Sequence, residues 1–247
     1  MAEMDYSLHY RKWHSHTPAH TDATAAYYGA VAGPYLPARR DAALLDLGCG
    51  MGFTLLAYRG LGYLDCTGID ISAEQVRAAQ AQGLRVEHAA DSAAYLAARP
   101  ASYDFISAFD VLEHVPREAL LPLLRAIHAS LRPGGVFLCV VPNANCGIGM
   151  RWRYIDWTHY TSFTEYSLEF VLQSGGFATP AVGEVNYFQQ RPPRPYILRR
   201  AVARWLLMRF FRLWQRLQLA AEFGFAPSRS IPLSLNIMAV ARRGAGP

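Results

Sequence analysis

Short apolar runs alternate along this chain with longer stretches in which apolar and polar residues follow a helical period. The apolar runs lie at 44–47, 65–71, 84–90, 103–109, 136–141, 185–189 and 235–242. Strands that alternate with helices predict an α/β fold, with a doubly wound, mostly parallel seven-stranded sheet, helices on both faces and right-handed crossovers.

The first apolar run breaks into a turn that carries glycine at every second position. Its residues are Asp46, Gly48, Cys49, Gly50 and Gly52. Glycine tolerates positive φ and has no Cβ, so the backbone of such a turn can approach a ligand at the N-terminus of the next helix. We therefore predict that these residues contact a nucleotide-like cofactor, although a glycine-rich turn can also be only a tight connection.

Acidic residues end the next two apolar runs. Asp70 follows Asp46 by 24 positions and precedes Ile71, in the place where a parallel sheet offers a carboxylate to a ribose diol. Asp91, with Ser92 beside it, follows the third run and is expected to meet the adenine edge. NAD-binding domains share the first acidic position, so it does not by itself choose the cofactor.

Two later segments indicate which cofactor is bound. They are the loop Asp110-Val111-Leu112-Glu113-His114-Val115 and the turn Leu131-Arg132-Pro133-Gly134-Gly135, which we expect to close a helix. With them, the chain resembles the class I S-adenosylmethionine-dependent methyltransferases from about Leu44 to Phe177, with a matching last strand near Leu235 to Arg242. The resemblance implies a Rossmann-like fold, S-adenosylmethionine as cofactor, S-adenosylhomocysteine as product, and an Asp110 that contacts the methionine amino group or shapes the pocket. NAD is the alternative, but a dehydrogenase needs a substrate-holding domain for which too few residues remain.

The acceptor class is predicted from the loop after the fourth strand and from the block Asp156 to Leu168. Both resemble methyltransferases of polysaccharide and cell-surface glycan biosynthesis, which implies O-methylation of a sugar hydroxyl on a glycan or lipid-linked glycan precursor. One alternative is an O-methyltransferase for a small aromatic or quinone-like metabolite, which favours an apolar pocket without anion-binding arginines. Another is a cofactor-binding module that lacks transfer chemistry.

His159 and His114 are the candidate general bases, because an imidazole titrates near neutral pH. Asp156 lies three residues before His159 and would fix its tautomer if this segment forms a helical turn. Alternatively, His114 hydrogen-bonds the cofactor or its own loop, and Asp156 and His159 only pin the loop before a helix at 164–174. In that helix we expect Thr161 or Ser162 as N-cap, with Glu165 reaching back.

Arg151 and Arg153, with Tyr154 and His159, are the predicted substrate-binding residues, since guanidinium groups bind phosphate or carboxylate in pairs. The two arginines are equally consistent with a solvated surface. No metal site is predicted. Four histidines between positions 9 and 20 lack a partnering Asp or Cys pattern, and the spacing of Asp110, Asp156 and His159 demands no ion.

Two segments lie outside the predicted core, which comprises residues 41–190 and 231–243: one precedes it and the other is inserted before its last strand. Residues 1–40 are rich in aromatic residues and histidine, which predicts a helical lid, with Tyr10 and Trp13 excluding water from the sulfonium. An amphipathic helix that only covers the sheet edge is the alternative.

Residues 191–230 form a predicted basic, aromatic helical insertion, with eight arginines and no acidic residue between 191 and 216. We expect residues 196–219 to contact an anionic membrane, or else to pack on the domain or in a homodimer. Nucleic-acid binding is not expected, because the aromatic residues occupy helical positions.

Composition bounds these interpretations. The chain has 247 residues, of which 52% are hydrophobic, and a net charge of +5, as suits one α/β domain with additions. No signal peptide or apolar stretch long enough for a membrane span is seen. The four cysteines lack metal-type spacing and are expected to be reduced, so we predict a cytoplasmic protein. If the insertion binds lipid, the protein is also expected at the inner face of the cytoplasmic membrane, as a peripheral protein.

Overall fold

The computed structural model describes residues 17–185 and 198–245. Its strands are β1 (Leu44–Leu47), β2 (Cys66–Asp70), β3 (Val86–His88), β4 (Tyr103–Phe109), β5 (Leu131–Pro142), β6 (Ala181–Glu184) and β7 (Asn236–Arg242). Its α-helices are α1 (Pro18–Ala32), α2 (Phe53–Gly60), α3 (Ala73–Ala81), α4 (Ser92–Ala97), α5 (Arg117–Ser130), α6 (Gly149–Tyr154), α7 (Glu165–Ser174), α8 (Leu198–Phe223) and α9 (Phe225–Ser230). Short 3-10 turns lie at Gly33–Tyr35 and Leu112–His114.

The seven strands form one sheet in the order β3-β2-β1-β4-β5-β7-β6. Strands β1 to β5 are parallel, and β7 runs antiparallel to both β5 and β6. The strand order reverses between β1 and β4, and a doubly wound sheet opens a ligand crevice at the carboxyl ends of such neighbouring strands. The predicted doubly wound, mostly parallel sheet is confirmed.

Alternate residues of the same strands pack into two separate cores. Leu44 and Phe105 belong to the cluster that contains Leu55 and Tyr58 of α2, with α1 beside them. Leu45 and Ile106, one position further along each strand, belong to the other cluster, which includes apolar residues of α4, α5 and α7. Because side chains alternate across a strand, the two clusters lie on opposite faces, and helices cover both.

Some predicted boundaries differ from the structure. The helix before β5 ends at Ser130, and the turn Leu131 to Gly135 belongs to β5, where the pairing with β4 shifts register. The N-cap of α7 is Thr164, not Thr161 or Ser162, because the Thr164 hydroxyl accepts from the Ser167 backbone N–H and the Ser167 hydroxyl accepts in turn from the Thr164 backbone N–H. Glu165 therefore has no capping role, and its carboxylate instead accepts from the Asn145 side chain.

Two other predictions fall largely on residues that are not described. Tyr10 and Trp13 of the proposed lid lie outside the described ranges, and so does most of the strand expected at 185–189. The strand that the structure has in this region is β6, which ends at Glu184.

Candidate active site

A cavity of about 550 Å³ opens at the carboxyl ends of β1, β2 and β4, where the strand order reverses. Its walls come from the glycine turn, the ends of β2 and β4, the loop after β4, and the segment from α6 to Tyr160. Seven of the predicted cofactor residues line it: Asp46, Gly48, Cys49, Gly50, Asp70, Ile71 and Asp110. The fold therefore brings together residues that are up to 64 positions apart in the sequence.

Asp70 ties the glycine turn to the end of β2. Its Oδ2 accepts a hydrogen bond of 2.8 Å from the Gly50 backbone N–H, and its Oδ1 accepts one of 2.8 Å from the Ser72 backbone N–H. Burial raises the pKa of this carboxyl group. The two backbone hydrogen bonds lower the pKa, but by less than burial raises it. The carboxylate thus fixes the turn and also faces the cavity.

Gly48 is the point where the turn meets the loop after β4. Its φ of +65° is in the left-handed region, and a Cβ placed there would lie 2.5 Å from Val111 Cγ2. A side chain at this position would be strained and would collide with the loop. Gly52, the residue before α2, does not line the cavity. It packs against the side chain of Leu84.

Asp46 is buried at the end of β1. The Ser107 hydroxyl donates to its Oδ1 over 2.6 Å, and burial raises the pKa of the Asp46 carboxyl group to about 7. Asp91 and Ser92 are not among the residues that line the cavity, and the Asp91 carboxylate caps α4 by accepting from the Ala94 backbone N–H over 2.9 Å. Their predicted contact with the adenine edge stays a prediction.

Asp110 adopts a φ of +53°, which is uncommon outside glycine. The Asn236 side-chain amide donates to Asp110 Oδ1 over 3.4 Å, and the indole N–H of Trp152 donates to Asn236 Oδ1 over 3.2 Å. A chain of contacts thus links β7 and α6 to the strained residue after β4. Such strain is typical of residues that the surrounding structure holds for a ligand.

His114, Thr158 and Asp156 form a chain of hydrogen bonds in the cavity wall. The Thr158 hydroxyl donates to Asp156 Oδ1 over 2.7 Å and lies 2.8 Å from His114 Nδ1. A hydroxyl has one proton, so Thr158 must accept from the Nδ1–H of His114. The lone pair of the neutral imidazole is then on Nε2.

This arrangement corrects the predicted role of Asp156. Its Oδ2 is 3.9 Å from His159 Nε2, which is too long for a hydrogen bond, so the Asp156 carboxylate orients His114 through Thr158 and acts on the His159 ring only by charge. The His159 ring contacts the His114 ring edge to face, with 4.6 Å between centroids. Burial lowers the pKa of His159, which favours the neutral form of this imidazole.

Glu113 is a functional candidate that our sequence predictions did not single out, although it belongs to the loop motif. Its side chain is 0% exposed, and neither carboxylate oxygen has a hydrogen-bond partner. Burial, followed by the nearby Asp110 charge, raises the pKa of Glu113 well above its ordinary value. One ligand atom from each of Glu113, His114 and His159 lies within 4.8 Å of the others, so these three residues could hold a divalent cation that sequence spacing did not predict.

The remaining cavity wall is mostly aromatic. Its rings, none of them predicted as site residues, are those of Tyr28, Phe53, Phe109, Trp152 and Tyr160. They come from five separate segments, so no local sequence motif marks them.

The predicted acceptor residues Arg151, Arg153 and Tyr154 do not line the cavity. Arg153 instead donates to the Tyr160 backbone carbonyl over 3.0 Å and lies 5.0 Å from the Tyr154 ring centroid. Among the described residues that form the cavity wall, none is arginine or lysine, whereas five are aspartate or glutamate.

Comparison with known proteins gives matches in sequence and in structure. The profile of a methyltransferase domain family matches residues 24–181. A ubiquinone biosynthesis O-methyltransferase from Xanthomonas campestris is 35% identical over 127 residues, covering 49% of this chain and 48% of the relative. Another enzyme with that name, from Paraburkholderia phytofirmans, is 36% identical over 97 residues, covering 37% of this chain and 40% of the relative. The match thus spans less than half the length of these relatives.

Solved structures share the fold at low sequence identity. A SAM-dependent methyltransferase from Archaeoglobus fulgidus aligns with a TM-score of 0.66 at 18% identity, covering 96% of this chain and all of that one. A phosphoethanolamine N-methyltransferase from Haemonchus contortus, in complex with S-adenosylhomocysteine, aligns with a TM-score of 0.60 at 17% identity, covering 89% of this chain and 52% of that one.

Proposed function

This chain belongs to the methyltransferase domain family, whose cofactor is S-adenosylmethionine, and we propose that it methylates a hydroxyl group of a small aromatic or quinone-like metabolite. The cofactor expected from the sequence is confirmed over the NAD alternative. The acceptor and the catalytic roles below are our proposal.

The cavity fits a cationic cofactor. The carboxyl groups of Asp70, at the end of β2, and Asp110, after β4, line it, and no arginine or lysine is among its described lining residues. S-adenosylmethionine has a positive sulfonium and a positive ammonium group, which such a wall favours by simple charge attraction. We assign the ribose diol to Asp70, the backbone approach to Gly48 and Gly50, and the ammonium group to Asp110.

The observation that carries the proposal is the chain from His114 through Thr158 to Asp156. It sets the imidazole tautomer in which Nε2 is the proton acceptor. We therefore assign His114 as the general base and Thr158 and Asp156 as positioning residues. His159, the other predicted base, packs against His114 and keeps that ring in place.

The reaction is an in-line displacement at the cofactor methyl group. His114 Nε2 takes the proton from the acceptor hydroxyl while the oxygen forms its bond to the methyl carbon. Bound S-adenosylmethionine would supply this methyl group and would leave as the neutral thioether S-adenosylhomocysteine, with the electron pair of the broken carbon–sulfur bond on sulfur. Alignment of the reactants contributes most of the rate, and a general base adds about 10² to 10⁴-fold.

The aromatic wall supports an aromatic acceptor. Phe109, Trp152 and Tyr160 offer ring faces and edges to a flat apolar substrate. The names of the curated relatives point to the same class, since both are ubiquinone biosynthesis O-methyltransferases. The glycan acceptor predicted from the sequence has no such support, because Arg151 and Arg153 lie outside the cavity wall.

The test is a transfer assay with isotope-labelled S-adenosylmethionine and two acceptors, catechol and methyl glucoside. We expect label in catechol alone. The double variant Arg151→Ala and Arg153→Ala should methylate catechol at the rate of the unmodified chain. Label in the sugar alone, or loss of transfer in the arginine variant, would contradict the proposed acceptor class.

A further inference from the structure

Helix α8 exposes an unusual number of large apolar side chains. Trp205, Phe210 and Trp214 are 48%, 60% and 56% exposed. Leu206, Leu207, Met208, Phe211, Leu213 and Leu217 are exposed as well. So many exposed apolar groups on one helix mark a surface that binds something, because isolated soluble proteins rarely leave such patches in water.

The same helix is strongly basic. Its residues 198–221 include six arginines and no acidic residue. Arg209 lies on the exposed part of α8, with its guanidinium group 5.0 Å from the Trp205 ring centroid. The surface therefore combines aromatic and aliphatic side chains with positive charge, which is the pattern of helices that lie in the interface of an anionic membrane.

A groove on α8 is lined by both apolar side chains and arginines. It has a volume of about 360 Å³ and is lined by Arg209, Arg212 and Arg216 together with Trp205, Met208 and Leu213. Arg212 has a carboxylate neighbour, Glu184 Oε2 at 3.4 Å, and Arg216 donates to the Ile231 carbonyl over 2.8 Å. Arg209 is thus the groove arginine best placed to meet an external phosphate.

The helix is anchored next to the candidate active site. The Gln215 side-chain amide donates to the backbone carbonyl of Asn145, three residues after the cavity residue Pro142. Near this anchor, side chains of α6 and the loop that follows it are also exposed, among them Met150 and Trp157. A partner bound along α8 would therefore lie close to the segment that forms one wall of the cavity.

We propose that α8 docks this protein on the surface of an anionic phospholipid bilayer. The apolar side chains enter the boundary between headgroups and acyl chains, and Arg209 contacts lipid phosphate. Charge favours a bilayer over a second copy of the chain, because a two-fold interface on this patch would place arginines against arginines. Within the described parts of the chain, no helix is long and apolar enough to cross a membrane.

The experiment is co-sedimentation of the full chain with vesicles of phosphatidylcholine that contain about one third phosphatidylglycerol, without acceptor or turnover. We expect at least about tenfold stronger binding than to pure phosphatidylcholine vesicles, and loss of most binding when salt rises from about 0.1 M to about 0.5 M. Failure of the methyl transfer proposal would leave this result unchanged, because no transfer is measured.

Two variants and two matched controls locate the contact. Leu206→Ser with Phe210→Ser removes one exposed apolar pair from α8, and Tyr166→Ser with Phe170→Ser removes an equally spaced exposed pair from α7. Arg209→Glu reverses one charge on α8, and Arg77→Glu does the same on α3. We expect only the two α8 variants to lower vesicle binding, by about tenfold or more, with S-adenosylmethionine binding retained in all four.

The proposal is overturned by equal binding to neutral and anionic vesicles, by absence of binding at low salt, or by equal losses in the α7 and α8 variants. A stable dimer in light scattering that the Leu206→Ser and Phe210→Ser variant dissociates, together with no vesicle binding, would identify a second copy as the occupant instead.

Discussion

The imidazole of His114 and the hydroxyl of Thr158 are joined by a hydrogen bond of 2.8 Å that bridges the loop after β4 and the segment after α6. Because Thr158 gives its own proton to Asp156, this bond determines which nitrogen of His114 holds a proton. Three residues from two distant segments thus prepare one proton acceptor in the cavity wall.

Thr158→Val should lower kcat by about 10 to 100-fold, because it keeps the side-chain shape but removes the hydroxyl that orients His114. Binding of S-adenosylmethionine, measured by calorimetry, should stay within about twofold. Thr158→Ser should restore most of the rate, and Thr161→Val, the same change three residues away, should leave it unaltered. A loss as large in Thr161→Val would show that the loop responds to any such substitution.

Gly48→Ala should weaken S-adenosylmethionine binding by about tenfold or more. The new methyl group would be held at a φ of +65° and would meet Val111, so the turn must move away from the cofactor. The control is Gly60→Ala, at a position with no atom close to the added methyl group. Equal cofactor affinity in the two variants, by calorimetric titration, would refute this role of the turn.

Glu113→Gln should change how stability depends on pH. The folded-state pKa of Glu113 is raised by burial, so its contribution to stability is full below the unfolded pKa of 4.5 and is lost as pH rises. The unmodified chain should therefore lose stability relative to Glu113→Gln as the pH rises above about 5, where the unfolded chain is ionised at Glu113.

Urea unfolding of both proteins at several pH values measures this difference. Glu118→Gln, in the first turn of α5, is the matched control and should unfold in parallel with the unmodified chain. Parallel curves for Glu113→Gln as well would mean that Glu113 is ionised and compensated in the folded protein.

Much of the cofactor side could be predicted from the sequence, for a physical reason. The glycine turn, Asp70 and Asp110 each follow a strand directly, and parallel neighbouring strands bring their carboxyl ends to one edge of the sheet. Once the strands were recognised in the sequence, the parallel arrangement of the sheet was enough to predict that the glycine turn, Asp70 and Asp110 lie close together.

The acceptor side could not be predicted in the same way. Arg151 and Arg153 were assigned to the acceptor by charge, but the sequence does not tell which side of the short helix α6 faces the cavity. The bond between Thr158 and His114 joins residues 44 positions apart, and only tertiary packing brings them together. The burial of Glu113, with both of its oxygens unpaired, leaves no sequence signal.

The most direct test of the account is the rate of methyl transfer from S-adenosylmethionine to catechol by His114→Ala, with and without added imidazole, beside His128→Ala as control. We predict a rate about 10² to 10⁴-fold below that of the unmodified chain, which rises with the concentration of neutral imidazole, and little change in the control. Transfer by His114→Ala at the unmodified rate would contradict the account, because His114 would then not be the base.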